Sequence, residues 1–193
     1  MAEADRDRWN NKYAEGDHAS NEPSRVLTEL VDFLPKQGQA IDVAGGTGRH
    51  AIWLAERGLN VTLADISDVA LGIARDRAAE HAVRIETVEI DLEESAFPPG
   101  PWDVILTFHF LVRPLFDVFP QALAPGGRLI CVHPTTTNLE RHSKPPARFV
   151  LQDDELPSLI RGLTILHHEE TWSIEGRHEA VLVAEKASSG INP

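Results

Sequence analysis

The stretch 40-AIDVAGGTGRH-50 leaves a chain like this few ways to fold. An apolar run closes on an acid, three glycines follow within four residues, and a helical pattern begins immediately afterwards. That order predicts a buried strand turning sharply into a helix, with glycines that let a ligand approach backbone N–H groups closely. A turn of this kind sits in the ligand crevice of a doubly wound sheet.

The remaining pattern agrees with such a sheet. Strands are predicted over 39–43, 59–64, 84–90, 103–109 and 127–133, after a helical lead-in at 5–14 and 24–34. Helical patterns lie between several of them: 49-RHAIWLAERG-58 ends on a C-cap glycine, and 67-SDVALGIARDRAAEHA-82 opens on a serine cap. The segment 114-PLFDVFPQALAPGG-127 carries an internal proline, so only parts of it should be helical. Alternation at this pitch implies a parallel sheet covered on both faces. After the short helical candidate 153–162, the runs 163–172 and 178–186 are joined by only 173-SIEGR-177, which suits an antiparallel hairpin and is too short for a crossover. The expected fold is therefore α/β and Rossmann-like, doubly wound, with a mostly parallel seven-stranded sheet and a late antiparallel hairpin. Residues 1–186 should form one domain, with 1–34 as a helical lead-in or lid, and 187-ASSGINP-193 a flexible tail.

A formal net charge of −12 repels polyanions, so neither nucleic acid nor an anionic membrane is an expected partner. The single cysteine, Cys131, lies in the apolar run 129-LICV-132 and reads as a buried hydrophobe, which fits a reducing compartment. With no signal-peptide core and no membrane-length apolar stretch, a cytoplasmic protein is expected. The run 167-HHEE-170 is not read as a metal site, because adjacent residues on a strand face opposite ways.

Two ligands compete for the glycines. Gly46, Gly48 and Ala51 satisfy the dinucleotide spacing, and Asp65 follows Gly46 by 19 residues, near the place of a ribose-binding acid, so an NAD-linked oxidoreductase is one reading. A P-loop is weaker, since Arg49 stands where its lysine would be sought. The segment 41-IDVAGGTG-48, however, resembles motif I of the class I S-adenosylmethionine-dependent methyltransferases. The resemblance continues through 61-VTLADIS-67, 88-VEIDLEE-94, 102-WDVILTFHFL-111 and 124-APGGRLICVHP-134, and in all covers residues 38–186. The lead-in 8-RWNNKYAEG-16 and the ending E-L-x-x-L-x-x-G-L before the hairpin look more specifically like the tellurite-resistance TehB type and the thiopurine class of small-molecule methyltransferases. One departure is Ala44 in the place of the usual first glycine, which is accommodated if that residue does not need positive φ.

The resemblance implies S-adenosylmethionine as cofactor and S-adenosylhomocysteine as product. It implies that Ala44, Gly45, Gly46 and Gly48 pack against the methionine part, with Asp42 ordering the turn and the ligand ammonium. Asp65 would accept the ribose hydroxyls while Ile66 packs on the adenine. Asp91 and the N–H of Leu92 would meet the adenine edge, and Thr107 and Phe108 would supply backbone contacts near the ammonium. Trp9 and Tyr13, spaced i, i+4, would form a packed lid. Methyl transfer chiefly needs in-line positioning and exclusion of water. Where the acceptor bears a proton, His109 is the first candidate base and His133 the second. The acceptor is expected to be a small molecule, and the basic residues of 134-PTTTNLERHSKPPARF-149, Arg141 and Arg148 among them, suggest an anionic or oxyanion-bearing one. A non-catalytic protein that keeps the cofactor pocket is the third reading.

Overall fold

A computed structural model describes residues 2–16 and 20–188, so most of the tail expected over 187–193 lies outside the described residues. The strands are β1 (Gly38–Val43), β2 (Leu59–Asp65), β3 (Ile85–Glu89), β4 (Trp102–Phe108), β5 (Leu123–Pro134), β6 (Thr164–Trp172) and β7 (His178–Glu185), in the spatial order β3-β2-β1-β4-β5-β7-β6. The first five run parallel, and β7 pairs antiparallel with both β5 and β6. The strand order reverses between β1 and β4, which puts a topological switch point at the glycine turn.

The inner strands β1, β4 and β7 are buried almost throughout, as sheet residues covered on both faces must be. One apolar layer gathers Leu27, Leu54, Leu63 and Leu106, and the other Ile41, Ile105, Phe119 and Leu182. Helices cover both: α1 (Ala2–Ala14), α2 (Arg25–Glu29), α3 (Arg49–Ala55), α4 (Asp68–Glu80), α5 (Leu115–Ala122) and α6 (Leu156–Leu159). Ser67 caps α4 by accepting from the N–H of Ala70.

Three elements differ from expectation. The lead-in 24–34 is not one helix: α2 gives way to a 3-10 turn at Val31–Phe33, where the tighter bonding satisfies the last carbonyls of a short helix. β5 begins at Leu123 rather than at 127, because Leu123 pairs with Trp102 before Pro125, which has no N–H to give, forces a shift in register. The candidate 153–162 contracts to the single turn of α6. No helix among the described residues is long and apolar enough to cross a membrane.

Candidate functional site

The glycine turn leaves β1 at Val43 and enters α3 at Arg49. Ala44 has a φ of 53°, so the condition on which an alanine was expected to be harmless is not met. A left-handed alanine costs on the order of 1 kcal/mol, held here by the turn on either side. Each glycine has its own reason. A Cβ on Gly45 would lie 2.3 Å from Leu63 Cδ1 and 2.5 Å from Asp42 Oδ2; one on Gly46 would lie 2.6 Å from the Tyr13 hydroxyl. Gly48, with φ 78°, passes 3.0 Å from Ala74 of α4 by the same measure, so the turn is closed against the helix beneath it.

Two carboxylates at the ends of β1 and β2 define the electrostatics. Asp42 is fully buried under Gly45 and neither of its oxygens has a partner. Burial pushes its carboxyl up to about 7, which the charge of Arg49 and the nearby backbone N–H of Ala51 only partly oppose. Asp65 accepts from the N–H of Gly46 at 2.8 Å through one oxygen and from the N–H of Ser67 at 2.9 Å through the other. Burial raises its pKa, and these backbone bonds hold it back. A carboxylate has about four acceptor sites, so Asp65 keeps acceptor capacity for a ligand.

Asp65 also faces a cavity of about 160 Å³. Its floor is formed by the strand ends, Ala44, Asp65, Ile66, Asp91 and Leu92, with His109 and Phe110 beyond β4. Its roof is α1, which contributes Asp5, Arg8, Trp9 and Tyr13. Asn10 docks that helix: its amide N–H donates to Asp68 at 2.7 Å and its carbonyl accepts from the Ser67 hydroxyl at 2.6 Å. The Trp9 and Tyr13 rings stack 5.8 Å apart, and burial followed by the Asp65 charge pushes the Tyr13 phenol up, keeping it protonated. Asp91 closes its own turn, accepting from the Glu93 N–H at 2.9 Å, and still lines the cavity.

Other expected residues lie elsewhere. Thr107 is buried and donates to the Phe110 carbonyl, while Phe108 packs its ring 4.3 Å from that of His50; neither lines the cavity, nor do Asp42, Gly45, Gly46 and Gly48, Ala44 alone representing the turn there. His133 is 3% exposed, donates through Nε2 to the Phe149 carbonyl at 2.7 Å, and is pushed by burial down to about 4, so at neutral pH it is a scaffold imidazole away from the cavity. Arg141 stacks on Trp172 at 3.7 Å and Arg148 on Phe149 at 4.6 Å, which draws both cations onto local rings and away from the cavity lining. His167 packs against Phe33 whereas His168 reaches toward Glu170, and the two do not converge.

The structure adds residues that sequence reasoning missed. Asp5, Arg8, Glu93 and Glu94 line the cavity, and their signal was only proximity to Trp9 and Asp91 in the chain. Arg77 of α4 is 9% exposed and donates to the Thr47 carbonyl inside the glycine turn at 2.8 Å and to the Asn21 carbonyl at 2.7 Å. A buried arginine on the inner face of a helix was the available sign. Arg77→Met should leave these carbonyls unmatched and cost about 2 kcal/mol of stability, read as a lower midpoint in urea with an unchanged m-value.

The chain has relatives among known proteins. A family model described as a methyltransferase domain matches residues 40–127. A ubiquinone/menaquinone biosynthesis C-methyltransferase UbiE of Methylobacterium nodulans is 31% identical over 119 residues, covering 56% of this chain and 47% of its own length. The chain thus spans less than half of that relative. In fold, it is similar to TehB from Haemophilus influenzae, with a TM-score of 0.71 at 17% identity over 92% of this chain and 67% of that one. It is also similar to an S-adenosylmethionine-dependent methyltransferase from Aquifex aeolicus, with a TM-score of 0.65 at 17% identity over 83% of this chain and 89% of that one.

Proposed function

We propose that this chain is a class I S-adenosylmethionine-dependent methyltransferase that binds its cofactor in the cavity over β1, β2 and β3 and methylates a small-molecule acceptor. The observation that carries the reading is the buried carboxylate of Asp65, which faces the cavity from the end of β2 with acceptor capacity to spare; behind it, Asp42 is a second buried carboxylate beneath the glycine turn. Such a group is costly unless a cation meets it. An ammonium at the methionine end of the cofactor answers that need, whereas the pyrophosphate of a dinucleotide would add a second negative charge. The unused acceptor sites of Asp65 suit a ribose diol equally well.

When bound, S-adenosylmethionine supplies an electrophilic methyl group on a sulfonium. The chain's own part is to hold and to enclose. Ala44, Gly45, Gly46 and Gly48 present backbone to the methionine portion, Asp65 and Ile66 take the ribose and adenine, and Asp91 with the Leu92 N–H meets the adenine edge. Trp9 and Tyr13 of α1 exclude water from above. His109 stands at the open side of β4, where an acceptor proton would leave. A roof docked on the strand ends favours an acceptor small enough to lie beneath it, and we read residues 1–186 as one catalytic unit. Among the described lining residues Arg8 alone of Lys and Arg is present, and it is already paired with Asp5 at 2.9 Å, so an anionic or metalloid oxyanion acceptor would have to draw it from that carboxylate.

Calorimetric titration tests the reading. Saturable binding of S-adenosylhomocysteine with no heat from NADH is expected; binding of NADH alone would return the glycines to an oxidoreductase.

A further inference from the structure

We propose that Glu179 positions His109 as a base with a bare Nδ1, and that the acceptor therefore carries a proton on the atom to be methylated: a hydroxyl, thiol, N–H or activated C–H, not a thioether or halide. The inference rests on the methyltransferase reading and deepens it at the acceptor.

His109 and Glu179 are 70 residues apart in the chain and come from different strand ends, yet His109 Nε2 lies 2.5 Å from Glu179 Oε1. His109 follows β4 with a φ of 58°, pinned by its own N–H donating to the Val132 carbonyl at 2.9 Å. Its side chain is 30% exposed and lines the cavity. Glu179 sits on β7 opposite Pro134, 2% exposed, with its second oxygen buried. Two costs thus meet at one contact. A histidine at positive φ and a carboxylate in a buried strand are each unfavourable. An apolar residue at 179 would relieve one of them and a glycine at 109 the other.

The pairing has a definite chemical result. Burial would raise the Glu179 pKa, but the bond from His109, aided by a side-chain hydrogen bond from Ser173 and the charge of Arg177, outweighs it and keeps the group ionised. An ionised carboxylate only accepts, so Nε2 must carry the ring hydrogen and, in the neutral ring, Nδ1 must be the lone-pair nitrogen. No other hydrogen bond engages the ring among the described residues. As the acceptor's X–H bond breaks, its electron pair stays on X and its proton goes to Nδ1. The imidazolium so formed is paired with the Glu179 carboxylate. An acceptor with no proton on its nucleophilic atom would give this arrangement nothing to do.

Long-range proton–nitrogen NMR on 15N-histidine-labelled protein tests the pair without requiring an acceptor, with His109→Gln used to assign the signals. Nε2–H with bare Nδ1 is expected for His109 in the wild type. In Glu179→Gln, whose amide can donate or accept, a mixture of tautomers is expected, with S-adenosylhomocysteine affinity held within about threefold. A wild-type ring protonated on Nδ1, or a tautomer unmoved by Glu179→Gln, would overturn the dyad. Labelled methyl transferred to iodide or dimethyl sulfide in preference to phenols and thiols would overturn the acceptor class. Absence of S-adenosylhomocysteine binding in the wild type would instead remove the underlying reading, while the tautomer result would still stand or fall on its own.

Discussion

Asp65→Ala is expected to weaken S-adenosylhomocysteine binding by at least 100-fold. Two hydroxyls bonded to one ionised acceptor contribute roughly 1.5–3 kcal/mol each, and a loss of about 3 kcal/mol is already more than two orders of magnitude in affinity. The alanine also releases the N–H groups of Gly46 and Ser67, which Asp65 bonds in the folded chain. Asp65→Asn separates the two effects, because the amide oxygen still accepts one backbone N–H. It should recover much of the thermal stability and little of the affinity. Calorimetry and thermal unfolding on both variants check this; an affinity unchanged in Asp65→Ala would mean that the ribose is held elsewhere.

The second large effect is a pH dependence that Asp42 imposes. Its carboxyl is raised from the ordinary 3.8 to about 7 in the folded chain. Between those values the unfolded chain has lost the proton and the folded chain still binds it, so the unfolded state carries fewer protons and stability falls as pH rises. The loss begins near pH 4 and is complete above pH 7, and amounts to at most about 4 kcal/mol. The amide introduced by Asp42→Asn cannot titrate. The stability of that variant relative to wild type should therefore rise between pH 4 and 7 and then level off. Binding runs the other way: a ligand ammonium favours ionised Asp42, so S-adenosylhomocysteine affinity should drop about tenfold from pH 8 to pH 6 in the wild type. In Asp42→Asn the affinity should be weaker and flat. A wild-type affinity independent of pH would separate Asp42 from the ammonium.

Much of this architecture was legible in the chain because its signals are local. Gly45, Gly46 and Gly48 mark a turn that no side chain could replace, and 173-SIEGR-177 is too short for anything but a hairpin. Asp42, Asp65 and Asp91 each close or follow a parallel strand, so alternation alone brings them to one edge of the sheet. What was not legible depends on pairing across the fold. Arg141 and Arg148 looked like a basic patch, but their destinations are set by where Trp172 and Phe149 stand. His133 and His109 both end strands, yet one is roofed by Phe149 and the other lines the cavity; the difference is made by segments far along the chain. Glu179 hides in a strand whose neighbours are apolar on both faces. Its acidity was the only sign, and its partner could not be read without the register of β5 and β7. Ala44 is the instructive exception: its identity suggested an ordinary φ, and the demands of the turn prevailed.

The bonds from Asn10 to Ser67 and Asp68 set a clock as well as a boundary. With α1 docked, the enclosed space is about 160 Å³, well short of the roughly 300 Å³ at the lower end for ligand pockets. Arrival and departure of anything as large as a nucleoside are thus expected to require the helix to move aside. Association should run far below the diffusion limit, and residence time should track the strength of two hydrogen bonds that touch no ligand at all. Weakening them would quicken exchange in both directions, so the pace of turnover can be set at Asn10 while the chemistry at the strand ends is left alone.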